Sequence, residues 1–222
     1  MSEWILTFVA SPLESHAKPG SVRAGRAVRT RCKLLDASAE LLAGRGYSRL
    51  STAAVAERAG VAHGTLFKHF PTKSALMAAT TEWVLEDVIG RFLEMAREFA
   101  EEPEPIDHAL RAVWSLFRSD RLQATLELYV AARTDESLRD ALRPIFTTHR
   151  SAFLSAARAL LPASADESHF ESTVTGILAT LLGGALLWSV VPEPEFFQSE
   201  LAFVDRIARA ELARIGPSEE DA

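Results

Sequence analysis

The 222 residues contain one cysteine, Cys32. An internal disulfide is therefore excluded, and the composition fits a reducing compartment. Cys32 stands at helical spacing from Val28 and Leu35, so buried packing accounts for it better than reactivity. Alternating apolar and polar runs are absent. Apolar residues recur at spacings of three and four, which makes the chain all-α. There is no glycine-rich phosphate loop, no cysteine pair and no internal repeat. Asp166 and His169 stand three apart, a spacing that can ligate a metal from one helix face. A di-metal bundle needs further carboxylates and a second such pair, which the sequence lacks, and helix capping is the better reading. His108 and His149 are isolated, and a satisfied core or pocket histidine is the default for each. The Ser, His and Asp residues form no arrangement that can be placed together. No catalytic residue, metal or cofactor is therefore expected, and the chain is not read as an enzyme.

What is present is apolar and unevenly charged. Hydrophobic residues make up 48% of the chain, enough for a sizeable core in one large or two modest domains. The formal net charge is −6. Its distribution says more than its sum. From Arg23 to Lys73, ten Lys and Arg stand against three acids (Asp36, Glu40 and Glu57), a net of +7. From Ser74 onward, thirteen stand against twenty-five, a net of −12. A basic stretch in an acidic chain is the electrostatic footprint of a nucleic-acid site.

Nine helices are expected. The first covers about 25–44 and ends at Gly46. The second, about 52–59, is capped by Ser51, and the third covers about 63–69. The fourth starts after Thr72 and runs to about Ala100, closed by Glu101-Glu-Pro-Glu-Pro105. The fifth covers Ile106 to Arg118 and the sixth Arg121 to Arg133. The seventh begins after Thr134 and runs to Leu161, with Pro144 as a candidate bend. Ser164 and Glu167 form a capping box for the eighth, which ends before Pro192. The ninth covers about 195–214, and Gly216-Pro217 ends it. Residues 1–22 read as a flexible extension. Residues 4–10 are apolar but too few for a membrane span, and Glu3 sits where a signal peptide wants positive charge. Residues 217–222 are a short acidic tail.

Residues 51–70 carry the functional signal. One short amphipathic segment holds Val55, Ala56 and Ala59. Gly60 stops it, because glycine enters a left-handed turn without a Cβ penalty. Val61 is a buried anchor, and a second segment carries Leu66 and Phe70 at helical spacing. Two short helices across a glycine turn make a helix-turn-helix, whose second helix can enter the major groove. The same spacing also describes an ordinary helical hairpin. The outward residues His63, Gly64, Thr65, Phe67, Lys68 and His69, with the basic charge around them, favour DNA.

The pieces Ala56-Glu-Arg-Ala-Gly-Val61, Gly64-Thr-Leu-Phe-Lys-His-Phe70 and Pro71-Thr-Lys73 leading to Leu76 resemble the DNA-binding domain of the TetR/AcrR family of bacterial transcriptional regulators. The resemblance is strong over roughly a quarter of the chain. Beyond it, the helical layout and the stretch Glu127-Leu-Tyr-Val-Ala-Ala-Arg-Thr-Asp-Glu-Ser-Leu138 look similar to the family's variable half. The resemblance implies a three-helix DNA-binding domain at 23–73 and a larger helical effector-binding and dimerisation domain at 74–216, with helix four linking the two. It implies a cytoplasmic DNA-binding regulator, a repressor released from a palindromic double-stranded operator by a small-molecule effector.

Thr65, Phe67 and His69 match the family's phosphate contacts, although Phe67 lacks the hydroxyl of the usual tyrosine. His63 and Lys68 are candidate base readers. Ser51, Thr52, Gly64 and Lys73 complete the DNA-binding set, with Lys73 expected to clamp the DNA backbone. Ala62 departs from the pattern, where Ser or Thr usually caps the recognition helix. Effector-pocket candidates are Trp114, Phe117, Tyr129, Phe146, His149 and Phe153, each equally readable as plain core. A homodimer is expected through helices eight and nine, by way of Gly176, Thr180, Gly183, Gly184, Trp188, Phe197, Leu201 and Val204. Ser172 to Val191 carries no charged residue. Its glycines, its Ser and Thr residues and its acidic flanks favour a fully buried helix over a membrane span. The other readings are a helical small-molecule-binding enzyme with a vestigial helix-turn-helix, and a membrane-anchored helical protein.

Overall fold

A computed structural model describes residues 22–99, 105–160 and 167–213. The expected flexible extension (apart from residue 22), the acidic tail, Ser164 and Asp166 lie outside these residues. The described residues are helical, with no strand among them. The helices are α1 (Val22–Arg45), α2 (Thr52–Arg58), α3 (His63–His69), α4 (Lys73–Phe99), α5 (Pro105–Phe117), α6 (Asp120–Ala131), α7 (Glu136–Leu160), α8 (Glu167–Trp188) and α9 (Pro194–Ala213). A single 3-10 turn, Tyr47–Arg49, lies between α1 and α2. Each α-helix lies within three residues of its expected bounds, because caps and glycines mark the ends. Ser51 Oγ accepts from the Ala54 amide at 3.2 Å, and Thr72 Oγ1 accepts from the Ala75 amide at 3.0 Å. Gly46 (φ +74°) and Gly60 (φ +67°) take the left-handed turns after α1 and α2. Helix α7 continues through Pro144.

The described residues pack as two units. One comprises those up to Gly90 together with Ala124–Ile145, and the other Arg91–Gln123 with the residues from Phe146 onward. Helices α4, α6 and α7 therefore each contribute residues to both units.

In the first unit α1, α2 and α3 close around Leu34, Leu42, Val55, Leu66 and Phe70, all at most 2% exposed. Truncating Leu66 to alanine would cost about 2–5 kcal/mol, since its volume cannot be refilled locally. Arg58 ties α2 to α1 through Glu40 at 2.7 Å. Arg31 lies 4.7 Å from the centroid of the Phe70 ring. The buried Thr80 hydroxyl sits 2.8 Å from Ser38 Oγ, and the Trp83 indole donates to Asp36 at 3.0 Å. These bonds join α4 to α1 and satisfy polar groups that would otherwise be costly to bury.

In the second unit α5, α8 and α9 pack on one another. Trp114, Trp188 and Phe197 form a ring cluster with centroids 4.7–6.2 Å apart, and the Arg118 guanidinium lies 4.0 Å over Trp188. Helix α8 is not fully buried, which corrects the sequence expectation. Phe170, Val174, Leu181 and Ala185 face inward, while Gly176, Thr180, Gly183, Leu186 and Leu187 are exposed. Its apolar residues surround the axis, but α5, α7 and α9 cover only one side. By length and composition alone, Ser168–Trp188 could cross a membrane.

Candidate nucleic-acid interface

The recognition segment starts badly capped and ends well packed. Ala62 is the N-cap of α3, in extended geometry (φ −64°, ψ 140°) and without a side-chain hydrogen bond. Leu66 and Phe70 anchor the inner face. The helix has only seven residues, so burial of these two, rather than helix propensity, holds it in place.

The outer face is open. His63, Gly64 and Lys68 are exposed, and Phe67 keeps 42% of its surface in solvent. Nothing lies within 4 Å of the position a Gly64 Cβ would occupy. That glycine therefore serves no internal packing, and its backbone is free to approach an external surface. Thr52 Oγ1 lies 3.0 Å from His63 Nε2, and the His63 ring meets the Phe67 ring edge-on at 4.9 Å. Ser51 is exposed at the start of α2, its Oγ engaged as the cap. One surface thus collects Ser51, Thr52, His63, Gly64, Phe67 and Lys68 from α2 and α3. It carries hydroxyls, an imidazole, an ammonium and one apolar ring, and no carboxylate. Such groups contact phosphates, base edges and thymine methyls.

Three expected contacts are placed differently. Thr65 and His69 are half-buried. Burial, with Arg31 beside it, pushes the His69 pKa down and favours the neutral ring. Lys73 is turned inward onto Tyr47. Its ammonium lies 4.2 Å from the Tyr47 ring centroid and donates to the Tyr47 carbonyl at 3.3 Å. Burial lowers its pKa, with Asp135 acting in the opposite direction.

The other expected sites divide between the units. Trp114, Phe117, Phe146, His149 and Phe153 belong to the second unit and Tyr129 to the first. Phe117 and Phe153 meet edge-on at 6.5 Å, and His149 is buried. Trp114 lies in the Trp188–Phe197 cluster instead. Phe146 is 58% exposed and lines no interior.

Of the expected dimer residues, Gly176, Thr180 and Gly183 are exposed. Gly184, Phe197 and Val204 are buried within the unit, and Trp188 and Leu201 are partly so. A Cβ at Gly184 would overlap the Glu200 carboxylate of α9. The close approach that Gly184 permits is therefore internal to the chain. An open groove of about 400 Å³ beside the exposed stripe is lined by Gly176, Ile177, Thr180, Phe203 and Ile207. At its end His169 lies 3.0 Å from Glu211. Among the described residues no three His, Cys, Asp or Glu side chains gather as metal ligands. Sequence reasoning missed Tyr47, Glu127 and Asp135, which meet across some eighty residues of chain.

A helix-turn-helix with an exposed, acid-free recognition face in a basic segment defines a DNA-binding protein of the transcription-regulator class. The family sequence model for bacterial regulatory proteins of the tetR family matches residues 34–80. An uncharacterized HTH-type transcriptional regulator of Mycobacterium tuberculosis is 33% identical over 187 residues, covering 82% of this chain and 94% of its own. The HTH-type transcriptional regulator CymR of Pseudomonas putida is 33% identical over 132 residues, covering 60% and 64%. Among solved structures, a TetR-family regulator from Mesorhizobium loti superposes with a TM-score of 0.67 at 17% identity, covering 86% of this chain and 99% of its own. The multidrug binding protein EbrR superposes at 0.61 and 22% identity, covering 86% and 98%. The chain belongs to the TetR family of bacterial transcriptional regulators.

Proposed function

We propose that this regulator is a cytoplasmic homodimeric repressor. It binds a palindromic double-stranded operator and leaves it when a small-molecule effector occupies the larger helical domain. The observation that carries the reading is the surface formed by the exposed Ser51, His63, Gly64, Phe67 and Lys68 with the half-buried Thr52. His63 and Lys68 read base edges, and Phe67 supplies apolar contact to a base or sugar. Thr65 and His69 flank them at the phosphates.

Two copies are needed because one seven-residue helix reads too few bases. Paired recognition helices one helical turn apart read two half-sites. The exposed stripe Gly176–Thr180–Gly183–Leu187 of α8, with Phe203 and Ile207 of α9, supports a second copy as its cover. Small residues let helices approach closely, and the apolar ones supply area to bury. Phe117, His149 and Phe153 are the effector contacts of this reading. EbrR, a protein of the same fold, has been crystallised with ethidium and with imidazole. An effector that binds better to a conformation with mis-spaced recognition helices weakens operator binding by that difference in affinity. No catalytic role enters this scheme.

The test is selection of binding sites from random double-stranded DNA by the purified full chain, followed by titration across salt concentrations. The expected outcome is an inverted repeat with half-sites about 10 base pairs apart and affinity that falls as salt rises. No enriched sequence would overturn the reading.

A further inference from the structure

The segment Glu127–Leu138 covers the end of α6 and the start of α7. Its polar side chains converge on the turn that leads into the helix-turn-helix. That turn begins at Gly46, with φ +74°. Gly46 precedes the 3-10 turn Tyr47–Arg49 and has no side chain to cap it. The missing acceptor comes from α6, where Glu127 Oε2 accepts from the Tyr47 amide at 2.8 Å. The approach is close enough that a Cβ at Gly46 would sit 2.9 Å from that oxygen.

Asp135 stands behind it. Its Oδ1 caps α7 by accepting from the Leu138 amide at 2.9 Å, and its Oδ2 lies 3.5 Å from the Tyr47 hydroxyl. The ammonium of Lys73 lies 4.2 Å from the centroid of the Tyr47 ring. The Ser137 hydroxyl donates to Ser74 at the start of α4, at 3.1 Å. Residues 47 and 74, which bracket α2 and α3, are thus both held by residues 127–137. Glu127 is exposed, so burying its side chain is not what places it here. The contact is a charge-assisted bond to a backbone amide, the stronger kind of hydrogen bond.

We propose that Glu127 is a positioning residue for DNA reading: by gripping the Tyr47 amide, with Asp135 and Ser137 as fixed supports, it sets the angle at which α3 is presented and so the half-site spacing the dimer accepts. The proposal rests on the reading of the chain as a dimeric operator binder. Helix α6 starts in the second unit and ends in the first. A loosened grip leaves α3 folded but able to take several angles, so affinity becomes less sensitive to spacing.

The experiment measures binding of the full-length wild type and the Glu127→Ala, Glu127→Gln and Asp135→Ala variants to the selected operator. The same titrations are run with one or two base pairs inserted between, or deleted from between, the half-sites. Wild type is expected to lose at least about tenfold in affinity per inserted base pair, or 1.4 kcal/mol. Glu127→Ala is expected to lose less than about threefold, with weaker binding at the best spacing and an unchanged recognition sequence. Glu127→Gln keeps an acceptor oxygen and is expected to restore most of the spacing dependence. A residue serving stability alone would lower affinity equally at every spacing. Equal loss at every spacing, or a wild-type profile for Glu127→Ala, overturns the proposal. If Glu127→Ala fails to fold, Asp135→Ala, which removes both acceptors, is read in its place, with partial flattening expected and an unchanged profile refuting. Wild type that selects no DNA removes the operator reading and this proposal together, whereas strict spacing in every variant removes this proposal alone.

Discussion

Replacing Ala62 with serine should stabilise the recognition helix, and the structure allows the gain to be estimated. An α-helix begins with amides that have no partner inside it. At the start of α3 the Thr65 amide reaches the Ala62 carbonyl at 2.8 Å and the Leu66 amide does so at 3.3 Å. Neither bond involves a side chain. Ala62 already has the extended backbone that N-caps adopt (φ −64°, ψ 140°), so a serine there needs no rearrangement. Ser51 shows the geometry available, with its Oγ accepting from the amide three residues on at 3.2 Å. The same bond from residue 62 would reach Thr65. Supplying such a cap is worth roughly 1 kcal/mol within a range of about 0.5–2. For a chain of this size that corresponds to a rise in Tm of about 2–4 °C per kcal/mol. The assay is a reversible thermal melt followed by far-ultraviolet circular dichroism, with Ser51→Ala as the reciprocal control. That control should fall by a similar amount, since the same kind of bond is removed. A melt of Ala62→Ser that does not rise while Ser51→Ala falls would show that α3 does not start at residue 63.

Glu86 offers a pH test: burial, and Glu82 beside it, push its pKa up to about 7 against the opposing pull of Arg31. A carboxyl raised in the folded state favours folding fully below its unfolded pKa near 4.5, and that favour is lost as pH rises through 7. Glu86→Gln should therefore be more stable than wild type at pH 8 and nearly equal at pH 4.5. After discounting for partial exposure the gain is about 1–2 kcal/mol, and denaturation curves at both values that differ equally from wild type would refute the assignment. Lys68→Ala should weaken binding to the selected operator by about 1–3 kcal/mol and relax the sequence preference at the base it reads; an unchanged preference in repeated site selection would remove Lys68 from the bases. Thr180→Trp should force apart the exposed faces of α8 and yield monomers by sedimentation, whereas a wild-type profile would place the dimer contact elsewhere. Gly184→Leu should instead displace the Glu200 carboxylate of the same chain and overpack the contact between α8 and α9, lowering stability by about 1–3 kcal/mol; a wild-type Tm would refute this.

Much of this protein was determined locally, and what is local can be read from the chain. Helix ends are set by residues within a turn of them, as with Ser51, Thr72, Gly46 and Gly60, so the boundaries and the helix-turn-helix were legible. The outward residues of α3 were equally legible, because one helical period with Leu66 and Phe70 inside leaves His63, Gly64, Phe67 and Lys68 outside. Facing was harder wherever a helix is apolar all round. Gly183 and Gly184 are one residue apart, which is about 100° of helix rotation, and only the packing of α9 decides that the second is internal. Trp114 and Phe197, read as pocket and dimer residues, belong to one ring cluster because α5 and α9 meet there. Phe146 satisfies the apolar pattern of α7 yet keeps 58% of its surface in solvent, which only the packed arrangement of the helices decides. The grip of Glu127 and Asp135 on Tyr47 was invisible for a different reason. It joins polar residues some eighty positions apart, and a hydrogen bond to a backbone amide leaves no mark on the partner's side chain. Local propensity and periodicity act within about two turns of helix, and contacts between helices exist only once the chain has folded.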